Sequence, residues 1–168
     1  MHSKLFIVAA IAALTEARFG QEGLVQNVIS ALSDFGNPGA AATLAGQSPG
    51  VLLAGANACA KLSLADDIVS QLGNDAQVIA AAAQLVAAEK NFNPFAQDIP
   101  TLCSDATLPA TAELRGILPL IDPDVVGADV ANQLSAQSLT TPFNADGLSI
   151  ADLSDAQGFS NFTAQANA

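Results

Sequence analysis

Apolar residues in this chain recur at helical spacing in short runs, and glycine or proline cuts each run off. Residues 22–35 place Leu24, Val28, Ala31, Leu32 and Phe35 on one helical face. Gly36-Asn37-Pro38-Gly39 then breaks the pattern. Residues 40–45 read as a short helix stopped by Gly46, and 51–60 as a short apolar segment that carries Gly55 and Cys59. Ser63 is expected to cap a helix over 64–72, with Asp66 and Asp67 at its positive end, and Gly73 ends it. Asn74 is expected to cap the longest helix, 75–90. Its apolar face is Val78, Ile79, Ala82, Leu85, Val86 and Ala88, and the run 80–83 of alanines permits close helix–helix approach.

The second half is less regular. Pro94, Pro100 and Pro109 bias their neighbours away from helix, so 91–109 reads as an irregular segment clamped to a core by Phe92, Phe95, Ile99 and Leu102. A short helix is expected over 111–118, and another over 124–137 behind Asp122-Pro123. Ser149-Ile150-Ala151-Asp152 has the spacing of a capping box and predicts a last helix ending near Gly158. No alternating run demands a strand; residues 118–121 and 125–126 are the weak candidates. The expected fold is all-α, one compact domain of short helices with a proline-rich irregular segment.

The N-terminus reads as a secretory signal peptide. A short basic start, His2-Ser3-Lys4, precedes a ten-residue apolar run, 5–14, and Thr15-Glu16-Ala17 offers small residues where a signal peptidase reads. Cleavage is expected after Ala17, leaving 18–168 as a single domain, secreted and extracellular or wall-associated. The apolar run is too short to span a bilayer, and no second segment reaches that length, so no transmembrane segment is expected. The polar end 162–168 offers no tail for a lipid anchor.

Secretion implies an oxidising compartment, in which Cys59 and Cys103, the chain's two cysteines, are expected to form a disulfide. Closing a loop of about 45 residues stabilises a fold by roughly 4 kcal/mol in the chain-entropy model. Asn161-Phe162-Thr163 is an N-glycosylation acceptor, with Asn161 the candidate site.

Loss of the signal also removes chemistry. His2 and Met1 are the chain's only His and Met, and it has no Trp or Tyr. The cations left are Arg18, Lys61, Lys90 and Arg115. Removing Lys4 together with Glu16 leaves the net charge at −11. So acidic a chain lacks the clustered cations that nucleic acid or an anionic membrane surface requires.

Gly46-Gln47-Ser48-Pro49-Gly50 matches the G-x-S-x-G pattern of hydrolases, but a mature chain has no histidine base for it. Pro49 also removes the N–H that an oxyanion hole would use. The segment is expected to be a turn. Asp66/Asp67 and Asp122/Asp124 are the nearest carboxylate pairs for acid–base work. Adjacent helical positions diverge, however, and a sugar site would normally offer Trp or Tyr platforms. Asp122-Pro-Asp124-Val-Val-Gly127 resembles the start of a calcium loop, but Val126 and Gln133 stand where oxygen ligands are needed. No metal, no cofactor and no catalytic residues are expected, and the chain does not read as an enzyme.

Several stretches resemble a group of small secreted and wall-associated proteins of filamentous ascomycete fungi. They are RFGQE (18–22), GAAATLAGQSPGVLLAGANACAKLSLADDIV (39–69), NFNPFAQDIPTLCSD (91–105), LPATAELRGILPLIDP (108–123) and TTPFNADGLSIADLSDAQGFSNFT (140–163). The resemblance covers nearly all of 18–168. It implies a fungal extracellular setting and brings no catalytic residues. The expectation is a non-enzymatic secreted protein at the cell wall or host interface, structural, interacting or effector-like. Candidate partners are cell-wall polysaccharide, a host protein or a hydrophobic ligand. The alternative is an extracellular carrier that holds a fatty acid or sterol between its helices.

Overall fold

A computed structural model describes residues 21–91 and 98–168. The signal segment 1–17, its cleavage point after Ala17, and the clamps expected of Phe92 and Phe95 lie outside those residues. Among the described residues run six α-helices: α1 (Gln21–Ser30), α2 (Ala40–Val51), α3 (Ala60–Leu72), α4 (Ala76–Ala87), α5 (Ala128–Thr140) and α6 (Ile150–Ala156). A 3-10 turn lies at Ala112–Leu114. Two three-residue strands, β1 (Thr101–Cys103) and β2 (Thr163–Gln165), pair in parallel with Cys103 opposite Gln165. The fold is all-α in class, a compact domain carrying one disulfide. No described helix is long and apolar enough to cross a membrane.

Helices α1 to α4 wrap a main core. α1 packs on α2 and α4, and α3 on its neighbours α2 and α4. Ile29, Leu44, Leu62, Ile68, Val78 and Leu85 are fully buried between them. The stripe of α1 is turned one position from the expected face. Val25, Ile29 and Leu32 are buried, while Leu24 is 43% exposed. The helix ends at Ser30 and continues as tighter i→i+3 turns, Leu32 N–H to Ile29 O and Phe35 N–H to Leu32 O, which rotates the later side chains. A smaller core of Leu102, Ile121, Val125, Ala128, Ala131, Ala151 and Phe159 sits under α5 and α6, with Phe162 against it.

Several expected boundaries move. α2 does not stop at Gly46. It runs through the G-x-S-x-G segment, which is helix and not a turn. Pro49 has no N–H to offer the carbonyl of Ala45 four residues back, and the buried Ser48 hydroxyl donates to that oxygen instead, at 2.8 Å. α3 begins at Ala60, so Ser63 lies within the helix, and Asp66 and Asp67 fall outside its first turn. Asp75, not Asn74, caps α4 by accepting from Gln77 N–H at 2.9 Å.

The helix expected over 111–118 shrinks to the 3-10 turn, and the one expected at 124 starts at Ala128 behind Gly127 (φ 88°). Neither weak strand candidate is a strand. Gly73 does end α3, and the capping box of α6 forms: Ser149 Oγ accepts from Asp152 N–H, and Asp152 Oδ2 accepts from Ser149 N–H.

Two glycines are sterically required, and at the first, Gly36 (φ +68°), a Cβ would collide with the carbonyl oxygen of Gln71. Gly116 has φ +82°, and a Cβ there would collide with the carbonyl oxygen of Phe143, whose own N–H donates to Gly116 O at 3.1 Å.

Candidate functional site

The chemistry-bearing side chains concentrate where α3, the end of α4, β1 and the C-terminal strand meet. Cys59 immediately precedes α3 and Cys103 ends β1, and they form the expected disulfide. Both are buried, at 0% and 2% exposure. Strand β2 lies beside them: Gln165 pairs with Cys103, and its carbonyl oxygen is 3.5 Å from Cys59 Sγ.

Lys61 stands two residues after Cys59 on the buried stripe of α3, in line with Leu64, Ala65, Ile68 and Leu72. Its ammonium nitrogen donates to Val86 O at 2.9 Å and to Ala88 O at 2.6 Å. Leu120 N–H donates to the carbonyl between them, Ala87 O, at 2.9 Å. The last carbonyls of α4, which have no partner within their own helix, are thus satisfied from outside it. Burial first, and then the neighbouring Lys90, lower Lys61 to about 7, and Glu89 opposes them. Lys90 is itself lowered by burial; it donates to Ala54 O at 2.6 Å and to Thr101 Oγ1 at 3.1 Å.

A cavity of about 20 Å³ opens between these groups, lined by Lys61, Lys90, Thr101, Cys103 and apolar side chains including Leu62 and Ile150. That is room for a water. Sites for small organic ligands run to about 300–1,000 Å³. A second cavity beside Phe159, about 10 Å³, is smaller still. Neither accommodates a fatty acid or a sterol.

The third described cation is committed in the same way. Arg115 donates through Nη1 to Pro109 O at 3.0 Å, and through Nη2 to Ala106 O, Ala145 O and Leu148 O at 2.9–3.1 Å. It thereby ties two loops that are distant in sequence.

Of the carboxylates singled out by sequence, Asp66 accepts from the backbone N–H groups of Ala110 and Thr111 at 2.7 and 2.8 Å, while Asp67 is exposed. Asp66 therefore anchors a loop to α3. Asp122 accepts from Asp124 N–H at 2.8 Å, shaping the turn before α5. Among the described residues no group of three or more His, Cys, Asp or Glu gathers to hold a metal. Ser48 is fully buried. Asn161 is half-buried, and its amide nitrogen, the atom a glycan would occupy, donates to Val126 O at 3.1 Å.

Sequence reasoning missed the three cations as braces. Two signals pointed to them. Cations are scarce in so acidic a chain, and Lys61 falls on the apolar stripe of α3 once that helix begins at Ala60. No family model, no curated protein and no solved structure matches this chain.

Proposed function

We propose that this chain is a non-enzymatic secreted protein that works outside the cell, at a fungal wall or host interface, with Asn161 as its glycan acceptor. The observation that carries the reading is the buried Cys59–Cys103 bridge, a cross-link suited to an oxidising compartment. The fates of the reactive groups support its non-enzymatic part. Ser48 repairs a helix, Asp66 anchors a loop, and Lys61, Lys90 and Arg115 hold main-chain carbonyls. Groups fixed in this way are framework, and the interaction surface is then the acidic exterior. The carrier reading draws no support from the two cavities described above.

The test is to express the tagged full chain in a filamentous fungus and follow it. The expected result is recovery from medium or wall, with an N-terminus at Arg18 and a mass that falls after glycosidase treatment. Retention inside the cell would overturn the location. Hydrolytic turnover by the purified protein that a carboxylate substitution abolished would overturn the non-enzymatic role.

A further inference from the structure

The disulfide is buried, yet the strand beside it is not. Thr163 and Ala164 are exposed and Gln165 is half-buried, while Cys59 and Cys103 are almost wholly shielded. Gln165 sits against both cysteines, by β-pairing to Cys103 and by its carbonyl 3.5 Å from Cys59 Sγ. Both cysteines belong to the main core, and Cys103 also lines the small cavity beside Lys61 and Lys90.

The strand is held by separate stitches on either side of the bridge. On the β1 side, Thr163 N–H donates to Pro100 O at 2.8 Å and Ser104 N–H donates to Gln165 O at 2.9 Å. On the α3 side, Ala58 N–H donates to the Gln165 side-chain oxygen at 2.8 Å, and Asn57 Nδ2 donates to Ala166 O at 3.0 Å. Beyond the strand, the Asn167 side chain bonds the Asp105 carboxylate. All of these are hydrogen bonds, and no large apolar side chain of 163–168 anchors the segment. The last aromatic anchor is Phe162, whose ring centroid is 5.8 Å from that of Phe159. Exposed segments held mainly by hydrogen bonds open at far lower free energy than the core around them.

We propose that residues 163–168 form a latch over the Cys59–Cys103 bridge, and that opening of this latch, not global unfolding, admits thiol reductants. The chemistry is ordinary exchange with a small dithiol or monothiol. A thiolate attacks one sulfur of the bridge, a mixed disulfide forms, and the other cysteine leaves as thiolate. A second thiol then releases the first cysteine. Two electrons pass from the reductant, which becomes a disulfide, and both cysteines end as thiols. The proposal goes beyond the extracellular reading and requires only that the bridge exists.

The experiment treats the oxidised full chain with dithiothreitol below any denaturing condition and counts released thiols by mass-tagging over time. Gln165→Ala removes the acceptor of Ala58 N–H. It is expected to speed reduction about tenfold, the scale set by losing one half-buried hydrogen bond, with the unfolding midpoint of the helices little changed. Independently, the reduction rate of the unsubstituted protein is expected to rise only shallowly with urea, because a short segment exposes little surface on opening. A reduction rate that follows global unfolding across the urea series, or a rate unchanged by Gln165→Ala, overturns the latch. The urea series decides the matter even if Gln165→Ala weakens the whole fold.

Discussion

The two halves of the molecule are held together by different means. In residues 21–91 four helices bury apolar stripes against one another, and the core residues are spaced three and four apart. In 98–168 the helices are fewer and the backbone is irregular. Its smaller apolar core is supplemented by side-chain-to-backbone bonds: Arg115 reaches four carbonyls, Asn132 donates to Ile121 O and accepts from Ile121 N–H, and Ser138 accepts from Leu118 N–H. Burial of a stripe is non-directional and tolerates small shifts. A carbonyl clamp is directional, and its loss leaves buried acceptors without donors. The first half should therefore fail as a unit and the second piecemeal.

The bridge is a covalent link between halves that also share main-core residues such as Leu114, Leu118 and Leu153, and breaking it gives the largest expected effect. Replacing Cys59 and Cys103 by serine should cost about 4 kcal/mol in urea unfolding. Hydrogen exchange should show protection lost around β1, β2 and residues 104–118 before α1 to α4. Uniform loss across both halves would erase the distinction drawn above.

Arg115→Ala comes next, at about 3 kcal/mol from several charge-assisted bonds lost together, with exchange rising in 106–109 and 145–148. Arg115→Lys should recover only part, because one ammonium cannot replace a fork reaching separate carbonyls.

A smaller effect concerns pH. Lys61 is lowered to about 7 in the fold and titrates near 10.5 when exposed, so between those values the unfolded chain binds more protons. Stability should therefore rise with pH through that window, and the destabilisation should be fully present below it. Lys90 is shifted in the same direction. Lys61→Met should flatten the slope; an unchanged profile in thermal melts from pH 6 to 10 would show that Lys61 is not its source.

The smallest effect is expected at Ser135, whose buried hydroxyl has no hydrogen-bond partner. Ser135→Ala should be neutral or slightly stabilising by chemical denaturation.

Legibility in the sequence divides along the same line. The core face of α4, the glycine stop at Gly73, the capping box at Ser149 and the Cys59–Cys103 pairing follow from local spacing or from simple counting. Boundaries were lost where one interaction replaces another, as where Ser48 supplies the bond that Pro49 cannot and lets α2 continue. The pairing of 101–103 with 163–165 leaves no local trace, because the partners are distant in sequence and each strand is only three residues long. The carbonyl clamps of Arg115 are equally silent, since acceptors on the main chain carry no residue identity. For the candidate site, the two cysteines were readable, whereas Gln165 and the roles of Lys61 and Lys90 were not.

The inward turn of Lys61, Lys90 and Arg115 has a consequence for how the molecule meets others of its kind. When the described cations are engaged with carbonyls, their charge is held against the framework, and the outer carboxylates dominate the field that a neighbour feels at the net charge of −11. Two copies then behave as like-charged colloids. They keep apart in dilute electrolyte and approach more freely as salt shortens the screening length from about 30 Å at 0.01 M to about 8 Å at 0.15 M.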